Sequence, residues 1–190
     1  MKFTKTLLTT ALFSLSVLST TQMAYAETNN AELVQQAVLS GGEQLKQVRE
    51  ALEKNEFDTV ISLTQPLAEQ GNVVAQTALS IAYEGKKEHF QAFKWSQKVA
   101  EQGLSFAQYK LGRMYDNGQG VKQDYFQAVK WYQKAAEQGD ASAQNNLGIM
   151  YRLGKGVKQD DNLAKMWAGK ACENGEQNGC DVYRMLNEGK

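Results

Sequence analysis

The chain is poor in the side chains on which most chemistry depends. Histidine occurs once, at His89, and cysteine twice, at Cys172 and Cys180. Two sulfurs and one distant imidazole do not make the four-ligand set of a structural zinc. The motifs S-x-x-K and K-T-G do not occur, so the common acylating-serine machinery lacks its parts. Lys plus Arg and Asp plus Glu number 21 each, which leaves no excess of positive charge for a nucleic acid or an anionic lipid surface. No segment after the first 26 residues is apolar over a membrane-spanning length. No stretch alternates apolar and polar residues as a strand does. Proline occurs once, at Pro66, inside a helical pattern that it is expected to kink or restart.

What is present begins with an address. Lys2 and Lys5 precede the apolar stretch Leu7 to Leu18, and Ala24-Tyr25-Ala26 offers a small-x-small cleavage site. The stretch is short and diluted by Thr and Ser, which suits a cleaved export signal and not a stable span. Residues 1–26 are therefore expected to be removed before Glu27, placing the mature protein in the periplasm or outside the cell. No cysteine near the cleavage point offers itself for lipidation. Cutting 26 of 190 residues leaves 164, and takes away two lysines and no acid for a net charge of −2. That length suffices for one domain with its own core.

Internal repetition decides the architecture. "AEQG" stands at 68–71, 100–103 and 136–139, and returns as "CENG" at 172–175. Trp95, Trp131 and Trp167 are spaced by 36 residues, as are Ala92, Ala128 and Ala164. The connector "GQGVKQD" at 118–124 recurs as "GKGVKQD" at 154–160. Its glycines lie between helical segments, whereas a phosphate-binding loop needs a preceding strand and a G-K-[ST] ending.

Each period holds two helical segments. "ASAQNNLGIMYRL" places Ala143, Leu147, Met150 and Tyr151 on one face, and "YFQAVKWYQKAAEQG" does the same with Ala128, Trp131, Tyr132 and Ala135. Asp124, Asp140 and Asp160 stand where a helix wants a capping carboxylate. Gly139, Gly154 and Gly175 stand where it ends on a left-handed residue. The first full unit has a tighter connector, "YEGKKEHFQ", in which His89 reads as a solvated neighbour of the helix start. Upstream, residues 43–71 read as a degenerate hairpin with Asn55 at its turn, and 27–42 as a loosely ordered lead-in. Hairpins of this kind stack because neither helix buries its apolar face alone. The expected fold is all-α, a short right-handed αα-hairpin solenoid. Its units are 43–71, 72–103, 104–139, 140–175 and a capping half-repeat at 176–190.

The units "AQYKLGRMYDNGQGVKQDYFQAVKWYQKAAEQG" and "AQNNLGIMYRLGKGVKQD…AKMWAGKA" resemble the Sel-like repeat family, relatives of tetratricopeptide repeats. The resemblance covers residues 43 to 190. It departs from the pattern where Ser80 replaces the glycine of Gly112 and Gly148, and where Leu104 replaces a cap.

Cys172 aligns with Ala136 and Cys180 with Gln144 one period earlier. One thus ends a second helix and the other lies in the first turn of the next. Antiparallel helices joined by "ENGEQNG" bring those points within disulfide reach, and an oxidising compartment favours the bond. A redox pair would be spaced C-x-x-C. The C-x7-C spacing also resembles a secreted, cysteine-rich branch of the family, in which such clasps recur.

Resemblance to tetratricopeptide scaffolds implies a partner on the concave side, lined by the first helix of each hairpin. The positions opposite the packing face are Thr77, Ile81 and Glu84, then Phe106, Tyr109, Arg113 and Asp116, then Asn145, Ile149 and Arg152. They vary while the packing positions repeat. Phe106 and Tyr109 beside Arg113 are the residue types enriched in binding hot spots. The resemblance implies a non-enzymatic scaffold of the bacterial cell envelope that binds a protein, a peptide or an envelope component, with no cofactor, no metal and no nucleic acid. Relatives also suggest β-lactam or peptidoglycan chemistry, or a host-contact role. Nothing in the sequence demands self-association.

Overall fold

The computed structural model describes residues 43–188. The expected export signal (1–26) and lead-in (27–42) lie outside the described residues. Among those described there are nine α-helices and no strand: α1 (Glu43–Glu53), α2 (Phe57–Glu69), α3 (Val73–Gly85), α4 (His89–Glu101), α5 (Ser105–Asn117), α6 (Tyr125–Glu137), α7 (Ala141–Leu153), α8 (Asp161–Glu173) and α9 (Gln177–Asn187). Each packs against the next in chain order, and α9 also meets α7. The chain is thus the αα-hairpin solenoid that its period predicts. None of these helices is long and apolar enough to cross a membrane.

Local sequence sets the helix ends. The carboxylates of Asp124, Asp140 and Asp160 accept from the amides of Gln127, Ala143 and Leu163 at 3.0, 2.8 and 2.9 Å, as N-caps do. Asn72 does the same for Ala75 at 3.0 Å. Leu104 and Glu88 supply no side-chain cap. Gly118 and Gly154 end α5 and α7 at φ of 67° and 64°, a conformation that costs glycine little. Pro66 neither ends α2 nor starts a new turn: the helix runs through it to Glu69. Pro66 and Ser62 are both exposed, so water can satisfy the carbonyl that loses its amide partner.

Three features join the hairpins. The first is the indole. Trp95 packs with Ala68, Ala75 and Leu79, Trp131 with Ala100, Ala107 and Leu111, and Trp167 with Ala136, Ala143 and Leu147. The three sets are in register, so each indole covers the groove between the preceding hairpin's second helix and its own hairpin's first helix. Each is only 8% exposed, and truncating a side chain so placed typically costs about 3–5 kcal/mol.

The second feature is a buried amide. Gln76, Gln108 and Gln144 donate from Nε2 to the carbonyls of Ala68, Ala100 and Ala136 at 3.0, 3.4 and 3.0 Å. Their Oε1 atoms accept from Gln102, Gln138 and Asn174 at 2.7, 2.7 and 2.9 Å. Each amide therefore ties three consecutive helices. At the next register positions stand Cys172 and Cys180, which form a disulfide with Cα atoms 4.5 Å apart. The covalent clasp replaces the amide clamp where no further hairpin follows among the described residues.

The third feature is small size at the crossing of paired helices. A Cβ at Gly112 would meet the Tyr132 ring at 2.6 Å, and one at Gly148 would meet the Ala164 carbonyl at 3.1 Å. In the first unit Ser80 fills this place, its hydroxyl 2.7 Å from that of Ser96, the residue in register with Tyr132. The crossing thus trades Ser against Ser, Gly against Tyr and Gly against Ala.

Two outcomes follow. Gly112→Ala is expected to destabilise the protein by about 1–3 kcal/mol through overpacking against Tyr132. In a Tyr132→Ala background the same change is expected to be neutral or stabilising, since helix propensity then favours alanine by up to ~1 kcal/mol. Denaturant midpoints of the four proteins of this cycle measure both. Ala136→Cys with Gln144→Cys should oxidise spontaneously into a second clasp in the register of Cys172–Cys180. It should add about 2.5 kcal/mol or less, and Ellman titration with reduced and oxidised melts reads the result.

Candidate functional site

The first helices α3, α5 and α7 lie one repeat apart and together carry the positions expected to face a partner. Successive rows read Thr77, Tyr109, Asn145; then Ile81, Arg113, Ile149; then Glu84, Asp116, Arg152. Phe106 stands one turn before Tyr109.

Not all of these are offered to solvent. Thr77 and Asn145 are each 7% exposed. The Thr77 hydroxyl turns back to the Val73 carbonyl at 2.8 Å. The Asn145 Oδ1 is buried without a donor among the described residues. Phe106 is half-buried, packed on the cluster of Ala107 and Leu111 and lining a void of about 10 Å³ with Thr77, Ile81 and Lys110. Its ring is thus seated partly against α3. Ile81, Glu84, Tyr109, Asp116, Ile149 and Arg152 are half-buried, and Arg113 is exposed.

Polar contacts organise the groove into two networks. In the first, Lys110 on α5 pairs with Glu84 on α3 at 2.8 Å and donates to the Ser80 hydroxyl at 2.9 Å. Ser80 in turn meets Ser96 on α4. Serine beside lysine invites comparison with a nucleophile and its base. Here Ser80 and Ser96 are 3% and 2% exposed, and the Lys110 side chain is engaged by Glu84 and Ser80 together, so no accessible hydroxyl is presented.

In the second network the Tyr132 hydroxyl donates to Asp116 Oδ2 at 3.2 Å, and Asn146 also bonds it. Burial, followed by the Asp116 charge, pushes the Tyr132 phenol far above its ordinary pKa, so it remains a donor at every accessible pH. The Tyr109 ring lies 5.9 Å from that of Tyr132, tilted by 37°. The Arg113 guanidinium sits 5.9 Å above Tyr109, within cation–π range. Neither Arg113 nor Arg152 has an ion-pair partner among the described residues.

Lys110 and the Tyr132 hydroxyl escape a reading of helix faces. Lys110 lies one position past Tyr109, and only the stacking of α5 on α3 shows its pairing with Glu84. Tyr132 is legible as core, and its phenol carries a hint, because a buried hydroxyl requires a partner. His89 at the start of α4 is exposed, its Nδ1 3.2 Å from the Gln119 amide nitrogen. The described residues contain no group of three or more side chains able to hold a metal ion.

This geometry defines an α-helical repeat scaffold with a mixed aromatic and charged inner face. The Sel1 repeat model matches residues 73–104, 105–140 and 141–176, more than half of the chain. The chain belongs to the Sel1 repeat family, whose members are in general non-enzymatic scaffolds that mediate protein–protein interactions.

Solved structures agree. A Sel1 repeat protein from Oxalobacter formigenes is 37% identical, with a TM-score of 0.56 over 60% of this chain and 91% of that one. A protective antigen of uropathogenic Escherichia coli with the same repeat fold is 28% identical, with a TM-score of 0.63 over 85% of this chain. This chain spans 42% of that longer one. Cysteine-rich protein B of Helicobacter pylori, 23% identical with a TM-score of 0.51 over 75% of this chain and 98% of that one, shares the fold. No curated protein matches the chain.

Tyr132→Phe is expected to cost about 1 kcal/mol through loss of its bond to Asp116. In an Asp116→Ala background the same change should cost less, and a double-mutant cycle on urea midpoints measures the difference.

Proposed function

We propose that this chain is an exported, non-enzymatic interaction scaffold of the bacterial cell envelope that holds a protein or peptide partner along α3, α5 and α7. The observation that carries this reading is the Phe106–Tyr109–Arg113 face. Two rings are fixed by the core behind them, and an exposed guanidinium without an ionic partner stands in front. Rigid aromatics anchored by packing lose little entropy on binding, and a guanidinium adds directional hydrogen bonds. Ile81 and Ile149 extend the apolar strip to either side, and Glu84, Asp116 and Arg152 form its charged margin. Family membership supports partner binding in general. The leader-like first 26 residues and the disulfide support export.

A photo-crosslinking amino acid at Arg113, in the periplasm of the native host, tests the reading. The control copy carries the probe at Lys134, on the second helix of the same hairpin. The expected outcome is one dominant protein adduct at position 113 that is absent at 134 and lost when Tyr109→Ala and Ile149→Glu are added. Identical adducts at both positions, or an adduct indifferent to those substitutions, would sink the groove as the binding face.

A further inference from the structure

The chain divides its cations by type. Among residues 43–188 every arginine lies on a first helix: Arg49 on α1, Arg113 on α5, Arg152 on α7 and Arg184 on α9. The second helices and the connectors that precede them carry lysines and no arginine. Charge alone does not ask for this division, since either residue serves on a solvated face. Arginine differs in presenting a planar fork of N–H donors that meets a carboxylate with two bonds at once.

Two of these arginines are used within their own helices. Arg49 lies 3.7 Å from Glu53, and Arg184 lies 3.6 Å from Asp181. The other two, Arg113 and Arg152, belong to the face shared by α3, α5 and α7, and neither meets a carboxylate among the described residues. The acids of that face are already engaged. Glu84 pairs with Lys110 at 2.8 Å, and Asp116 accepts the Tyr132 hydroxyl at 3.2 Å. Lys110, Arg113 and Arg152 thus stand against Glu84 and Asp116, an excess of positive charge on one face of a chain whose formal charge is zero.

Helix position does not account for these two residues. Arg152 is in the last turn of α7, where any cation suits the helix dipole. Its counterparts one and two repeats earlier are Asp116 and Glu84, so the stack sets no such requirement at this row. Arg113 lies 5.9 Å over the Tyr109 ring, and that ring rests against the buried Tyr132. The guanidinium is thereby held at the groove and has less freedom to lose when it pairs.

We propose that the partner segment is acidic: an extended peptide laid across α5 and α7, with one carboxylate for Arg113 and a second for Arg152. The proposal rests on the groove reading above and adds the partner's chemistry to it. A phosphate dianion fits less well. The two guanidiniums stand on separate helices and in separate rows, and Asp116 shares the helix of one and the row of the other. Each therefore suits a monoanion of its own, and a dianion would be repelled more strongly by Asp116.

The test selects binders to the full mature protein from a phage-displayed library of random dodecapeptides, and measures synthetic copies of them by fluorescence anisotropy. The selected peptides are expected to be rich in Asp and Glu, and exchanging one such acid for its amide should weaken binding about tenfold. Arg113→Lys keeps the charge but loses the fork, and should still weaken binding several-fold. Arg113→Glu with Arg152→Glu should turn the selection towards peptides rich in Lys and Arg. Lys130→Glu, at an exposed position on the second helix α6, alters the net charge in the same direction and should leave the selection unchanged. Arg113 is exposed, so its variants should melt with the parent, which separates lost binding from lost fold. Binding that Tyr109→Ala abolishes, yet that is indifferent to the peptide's acids and to both arginines, would overturn the proposal and leave the groove reading standing. Binding indifferent to Tyr109 and the arginines alike, or no selected peptide at all, would overturn both.

Discussion

The structure depends on one buried amide per repeat. Gln76, Gln108 and Gln144 each donate to a carbonyl at the end of the preceding second helix and accept from a side chain at the end of the following one. A single side chain thus fixes three helices relative to one another. Hydrophobic burial alone sets no rotation or rise between hairpins, because it is non-directional. A buried primary amide must satisfy donor and acceptor together, so only one register of the stack meets its requirements. At the end of the series Cys172 and Cys180 take over by covalent means.

Side-chain size at the helix crossings sets how closely each pair approaches. Glycine at 112 lets α6 bring the Tyr132 ring directly against α5. That approach carries the Tyr132 hydroxyl through to the groove, where it reaches Asp116. In the first unit the pair is Ser80 and Ser96, and the space admits the Lys110 ammonium. The chemistry of the inner face is therefore set from behind, by what the crossing allows, as well as by the residues that face outward. Thr77 and Asn145 are buried in the row of Tyr109, whereas Ile81, Arg113 and Ile149 in the next row are half-buried or exposed.

Much of this was legible in the chain. Three tryptophans at 36-residue spacing, with alanines three residues before them, establish the repeat because core positions must recur when one packing geometry recurs. The helix starts at Asp124, Asp140 and Asp160 were readable because capping is local. The disulfide was readable because its two positions fall on either side of one tight turn. Pro66 was harder, since whether an exposed helix tolerates proline depends on solvent reaching the freed carbonyl. The role of the glutamines was invisible: a glutamine on a helix face looks like a solvated residue until the neighbouring helix ends are placed.

By itself the sequence determined the repeat, the helix faces, the clasp and the family, because each follows from periodicity or from interactions within a few residues. Tertiary structure alone decided which inner-face residues are available and that Lys110 answers Glu84 across a repeat. Those are relations between elements far apart in the chain, and stacking brings them together through packing that no local pattern encodes.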